Sequence, residues 1–291
     1  IVKQHWFKTA FDYLNERYNV IDAVRADWDL LSLGIGHDAT EIYLTPSSAF
    51  VHGDSFCWYG YYHVVMEEIV EKVGMEKIEP VLNNICGNIE GKEEYSFDYY
   101  NCVHGLGHGV MTLVDGELFE ALVLCDKLSS PWEQGSCAGG VFMENIMTES
   151  RGGVPKYLKN DDLLYPCNTV IDTHKQQCFL MQSSHMLTVT GYDWKRVFSA
   201  CDSAPSSYQS TCYQSIGRDA SGSTVSDVVK TKNICNMAWN AMQKSGCIAG
   251  AAKDFVSYYH SDVQANKFCS AFDTVLARSC RAIVASYYET F

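Results

Sequence analysis

The sequence predicts an all-α protein: a disulfide-stapled repeat of α-hairpins, about seven or eight of them in one domain. Three observations predict it. Cysteines fall in consecutive pairs at near-constant spacing, apolar residues recur at helical spacing, and no Asn-Gly or Asp-Gly turn joins two alternating runs.

Twelve of the 13 cysteines form the pairs Cys86/Cys102, Cys125/Cys137, Cys167/Cys178, Cys201/Cys212, Cys235/Cys247 and Cys269/Cys280. Five of these pairs are 11 or 12 residues apart, and none has CxxC zinc-knuckle spacing. Such constancy predicts disulfides, and hence an extracellular, periplasmic or cell-surface location. Buried thiols in a cytosolic repeat are the competing reading. Cys57 is left over.

With the second cysteine of each pair as a ruler, copies sit at 102, 137, 178, 212, 247 and 280, with steps of 35, 41, 34, 35 and 33 residues. Earlier copies without a pair begin at Leu31 and Cys57. The longest step coincides with an insertion, Ser150-Arg-Gly-Gly-Val-Pro155.

Each unit reads as two helices. Glu117–Cys125 has apolar residues at helical spacing and ends in a cysteine. A start signal follows: Ser130 as N-cap, Pro131 at the first helical position, and Glu133 three residues after the cap. Asp193–Ala204, Pro205 and Ser206–Gly217 repeat the plan. A cysteine late in one helix then meets one early in its antiparallel partner. Stacked hairpins bury their faces on each other, as an open superhelix or a closed α/α toroid. The period resembles that of tetratricopeptide-type repeats, but their Trp-Leu-Gly-Tyr signature is absent and the resemblance stops at the period.

At 291 residues the chain supplies ample core for a single domain over 1–291. Within it, 1–113 is the half with a candidate metal site and 114–291 holds the regular Cys-paired repeats. The net charge of −13 argues against nucleic acid or an anionic membrane as the main partner. No apolar run reaches the roughly 18 to 20 residues of a membrane span. Haem-attachment, Walker A, G-x-S-x-G and His-Glu-x-x-His motifs are all missing.

Three segments share one pattern: Leu31-x-x-Gly34-x-x-His37, Cys57-x-x-Gly60-x-x-His63 and Cys102-x-x-Gly105-x-x-His108. Counted from the first residue of each, positions +3, +6 and +10 share a helical face. His37/Glu41 and His63/Glu67 are therefore same-face pairs, and the third copy offers His104 and His108. In later copies position +6 becomes Met143, Ser184, Arg218, Lys253 and Ser286. Position +7 holds Asp38, Glu144, His185, Asp219 and Asp254.

Imidazoles and carboxylates brought together on successive helices suit one or two divalent ions, zinc first, with copper or iron as alternatives. The expected ligands are His37, His63 and His108, joined by His104 and Glu41, with Glu67 or Asp38 as general base. A substrate groove would be lined by His52, Met143, Glu144, His185, Arg218 and Lys253. Hydrolysis by a metal-activated water is the leading chemistry. Copper or iron redox chemistry is an alternative, with Met143 as a soft ligand. A non-catalytic repeat surface for a peptide, glycan or protein partner is the rival class. The substrate itself is not legible.

Overall fold

The computed structural model describes residues 60–89, 91–150 and 154–289, with isolated helical positions at Thr9, Tyr13, Glu16, Arg17, Ile35 and Asp38. The chain divides into two compact units, Ile1–Glu144 and Asn145–Phe291. The described residues form thirteen helices and no strand. None of these helices is long and apolar enough to cross a membrane.

In the first unit the helices are α1 (Gly60–Val73), α2 (Met75–Ile85), α3 (Phe97–Leu113), α4 (Leu118–Cys125) and α5 (Pro131–Ser150), which runs on past Glu144. The second unit has α6 (Asp172–Met181), α7 (Ser183–Thr190), α8 (Trp194–Asp202), α9 (Ser206–Ser223) and α10 (Val228–Cys235). It closes with α11 (Ala241–Tyr259), α12 (Asp262–Cys269) and α13 (Thr274–Tyr288).

Local signals account for these elements. In α4, Leu118, Ala121, Leu122 and Cys125 recur at helical spacing and are all buried. Burial of each of the two leucines contributes about 1.5–3 kcal/mol. The capping box predicted for α5 forms: the Glu133 amide donates to Ser130 Oγ at 3.2 Å and the Ser130 amide donates to Glu133 Oε2 at 2.8 Å. Tyr99 of α3 also donates its hydroxyl to Glu133 Oε1, tying the two long helices together.

All six predicted cysteine pairs are bonded, with Cα–Cα distances from 5.4 Å to 5.8 Å. Four join a helix to the next one: α4 to α5, α8 to α9, α10 to α11 and α12 to α13. Cys86 is the C-cap of α2, so the first pair has the same form. The third pair departs from the plan, because Cys167 lies in a turn rather than late in a helix. Pro166 beside it has no amide proton for a helix interior. Gln182, between α6 and α7, secures that turn by donating to the carbonyls of Leu163 and Tyr165 at 3.0 Å and 2.9 Å.

A local frame recurs at an offset of 110 residues, from Cys102, Cys125 and Cys137 to Cys212, Cys235 and Cys247. In the first unit α3 and α5 touch backbone to backbone. A Cβ on Gly140 would lie 2.0 Å from the His104 carbonyl oxygen, and one on Gly107 would lie 2.0 Å from that of Cys137. In the second unit α9 and α11 do the same: Gly250 meets the Gln214 carbonyl at 1.8 Å and Gly217 that of Cys247 at 1.9 Å. Only glycine permits such an approach. The turns leaving α3 and α9 also correspond, with positive φ at Asp115 and Gly116 and at Val225 and Ser226.

Candidate metal centre

The close α3–α5 crossing determines what can meet beside it. His104 lies at the crossing and His108 one turn further along α3, while Glu144 lies one turn beyond Gly140 on α5. The crossing therefore brings His108 level with Glu144. His108 Nδ1 is 2.7 Å from Glu144 Oε2, and both residues are buried. On the other side α1 packs against α3, where a Cβ on Gly109 would lie 3.0 Å from the Met66 carbonyl oxygen. That contact delivers the next residue of α1, the half-buried Glu67. Donor atoms of Glu67, His108 and Glu144 all lie within 4.8 Å of one another, a spacing that can hold a metal ion.

The His108 ring is engaged at both ends. Its Nε2 is 3.4 Å from His104 Nε2, and His104 Nδ1 is 3.4 Å from the Tyr100 hydroxyl. Tyr100 stacks on His104 with ring centroids 5.4 Å apart, and Trp132 of α5 meets Tyr100 edge-on at 6.2 Å. One set of tautomers satisfies the whole row: Tyr100 donates to His104, His104 to His108, and His108 to Glu144. Should an ion take His108 Nδ1, the row reverses. His108 then donates through Nε2 to His104, and His104 donates through Nδ1 to Tyr100. Either way the imidazole that faces the carboxylates is fixed in orientation.

The remaining sequence-predicted residues divide clearly. His37, Glu41 and His52 lie outside the described residues, as does Cys57. His63 is on α1, one turn before Glu67, and its side chain is likewise outside them. Asp38 is at an exposed helical position. Met143 is half-buried on α5 beside Glu144. His185 is buried on α7, its Nε2 3.1 Å from the Lys159 carbonyl oxygen. Arg218 pairs with Asp219 at 2.7 Å, and Lys253 donates to Gln214 Oε1 at 3.0 Å.

Two roles are not legible in the sequence. Glu144 reads from the sequence as one more residue on a possible groove, and the α3–α5 crossing makes it the partner of His108. Tyr100 belongs to no motif, and its one signal is its place four residues before His104 on the same helical face.

Comparison with protein-family models, with curated proteins and with solved structures gives no match to this chain. A cluster of one imidazole and two carboxylates in a disulfide-bonded all-α protein defines a candidate metal-binding protein.

Proposed function

We propose that the chain is a metal-dependent hydrolase of an oxidising, extracytoplasmic compartment, with one divalent ion held by Glu67, His108 through Nδ1, and Glu144. The observation that carries this reading is the convergence of three donor atoms within 4.8 Å from three helices. One nitrogen and two oxygens form a donor set that suits zinc, with iron as the redox-capable alternative. Three protein ligands would leave a coordination position for water, and a divalent ion held there would supply a water of lowered pKa. His104 and Tyr100 back the His108 ring and keep its lone pair aimed at the ion. The twelve disulfide-bonded cysteines support the compartment, since such bonds persist where thiols are not kept reduced.

The test is elemental analysis of the whole chain purified without a histidine tag. About one ion per chain is expected, lost in His108→Ala while all six disulfides remain. A metal-free protein whose melting temperature does not respond to zinc, iron, manganese or copper rules the proposal out. Hydrolysis is then tested with ester, amide and phosphoester panels, with and without a chelator. A metal-loaded protein inactive on all of them retires the hydrolase half and leaves the metal site.

A further inference from the structure

The second unit repeats the α3–α4–α5 frame but replaces its chemistry. At the offset of 110 residues Gln214 stands where the first unit has His104, Arg218 replaces His108, Lys253 replaces Met143, and Asp254 replaces Glu144. In the first unit imidazole and carboxylate face each other at 2.7 Å. In the second, the corresponding guanidinium turns elsewhere. Arg218 donates to Asp219 at 2.7 Å, to Ser184 Oγ at 2.8 Å and to the Met181 carbonyl at 3.4 Å. Asp254, half-buried overall, keeps its place in the frame without that partner, and its Oδ2 is sealed from solvent with no hydrogen bond among the described residues.

The surroundings of Asp254 come from three helices. From α9, Ser221 and Arg218 favour the charged form of the carboxyl group and Asp219 opposes it. From α13, the half-buried Tyr287 acts across the α11–α13 seam, its hydroxyl 3.0 Å from Ser257 Oγ of α11. On α11 itself Lys253 turns its amine to Gln214.

We propose that Asp254 is a proton-binding switch: with its proton bound the α11–α13 seam stays closed, and loss of the proton drives the seam to admit water. A carboxylate with a sealed, unbonded oxygen is unfavourable, whereas the neutral acid is tolerated in the same place. Burial is the largest influence on the group and holds its pKa up at about 7, against 3.8 for an ordinary aspartate. The exchange of the proton therefore falls in the neutral range. The inference is independent of the metal centre, which lies wholly in the other unit.

The experiment uses the whole chain labelled with ¹³C at the aspartate carboxyls, titrated by NMR from pH 4.5 to 8.5. One carboxyl is expected to titrate near pH 7 and to vanish from the spectrum of Asp254→Asn. Ser221→Ala should move the same midpoint higher, because the Ser221 hydroxyl favours the charged form. In parallel, exchange of the α13 amides, corrected for the intrinsic pH dependence of exchange, should speed up through that midpoint in the wild type and not in Asp254→Asn. If every aspartate titrates near pH 4, the switch does not exist. That outcome also covers a cation seated on Oδ2, in which case the midpoint would follow salt concentration. The seam part fails if α13 exchange shows no step at the Asp254 midpoint.

Discussion

His108 Nδ1 and Glu144 Oε2 lie 2.7 Å apart although 36 positions separate the residues in sequence. The contact depends on two glycines as much as on the two functional groups. Gly107 and Gly140 let α3 and α5 meet at their backbones, and one turn beyond that crossing the side chains of His108 and Glu144 face each other. Burial makes the pairing consequential. A sealed carboxylate needs an imidazolium, a donated proton or a metal ion to offset its desolvation.

Residues behind the ring should tune the ion rather than hold it. His104→Gln and Tyr100→Phe are expected to lower metal affinity about 10- to 100-fold while leaving the saturated stoichiometry intact. Chelator-competition titrations distinguish this from His108→Ala, for which no saturable binding is expected. Complete loss of binding in His104→Gln would make His104 a direct ligand.

The two glycine crossings should tolerate no added methyl group. Gly140→Ala and Gly250→Ala each press a Cβ to within 2.0 Å or less of a carbonyl oxygen on the facing helix. Denaturant unfolding should show losses of about 1–3 kcal/mol or more. Ser245→Ala, on the exposed face of α11, should stay within about 0.5 kcal/mol.

Removing a staple should weaken the fold through the unfolded chain. The Cys125–Cys137 bond closes a loop of 12 residues, so the double serine variant is expected to lose about 3 kcal/mol, or less where strain is relieved. With twelve of 13 cysteines bonded, denatured but unreduced protein should titrate about one thiol per chain. Several free thiols would contradict both the bond map and the compartment drawn from it.

Val225 is a β-branched residue at φ 53°, a left-handed conformation that disfavours it, and its side chain is 41% exposed. The corresponding residue after α3 is Asp115, a type that accepts this geometry more readily. Val225→Asn should therefore stabilise the protein by about 1 kcal/mol, raising the melting temperature by about 2–4 °C. A lower melting temperature would mean that Val225 makes packing contacts worth more than the strain.

Asp254 sets the sign of one pH effect. Its folded pKa of about 7 is above the ordinary 3.8, so the folded protein binds more protons than the unfolded chain between these values. Its contribution to stability is full below about pH 4 and is lost as the pH rises through about 7. The melting temperature of the wild type relative to Asp254→Asn should fall across that window and level off above it. A flat difference would show that the group does not titrate on folding.

Several features are legible in the sequence alone. Helical spacing in segments such as Leu118–Cys125, and the capping signal Ser130-Pro131-x-Glu133, depend on neighbours within a turn or two of one another, which sequence displays directly. The six disulfides were legible for a related reason, since each joins residues 11 to 16 positions apart, one hairpin long. Only Cys167 departed in detail, where Pro166 replaces a helix end by a turn.

The sequence by itself determined the helical class, the cysteine pairing and the two histidines that α3 carries on one face. All of these follow from periodicity and short-range bonding. Only the tertiary structure decided that His108 faces Glu144 and Glu67, that His104 and Tyr100 stand behind it, and that Asp254 Oδ2 is sealed without its counterpart partner. The physical reason is the helix crossing. Which turn of one helix lies level with which turn of another depends on how closely two backbones approach, and that is fixed by packing between residues thirty or more positions apart.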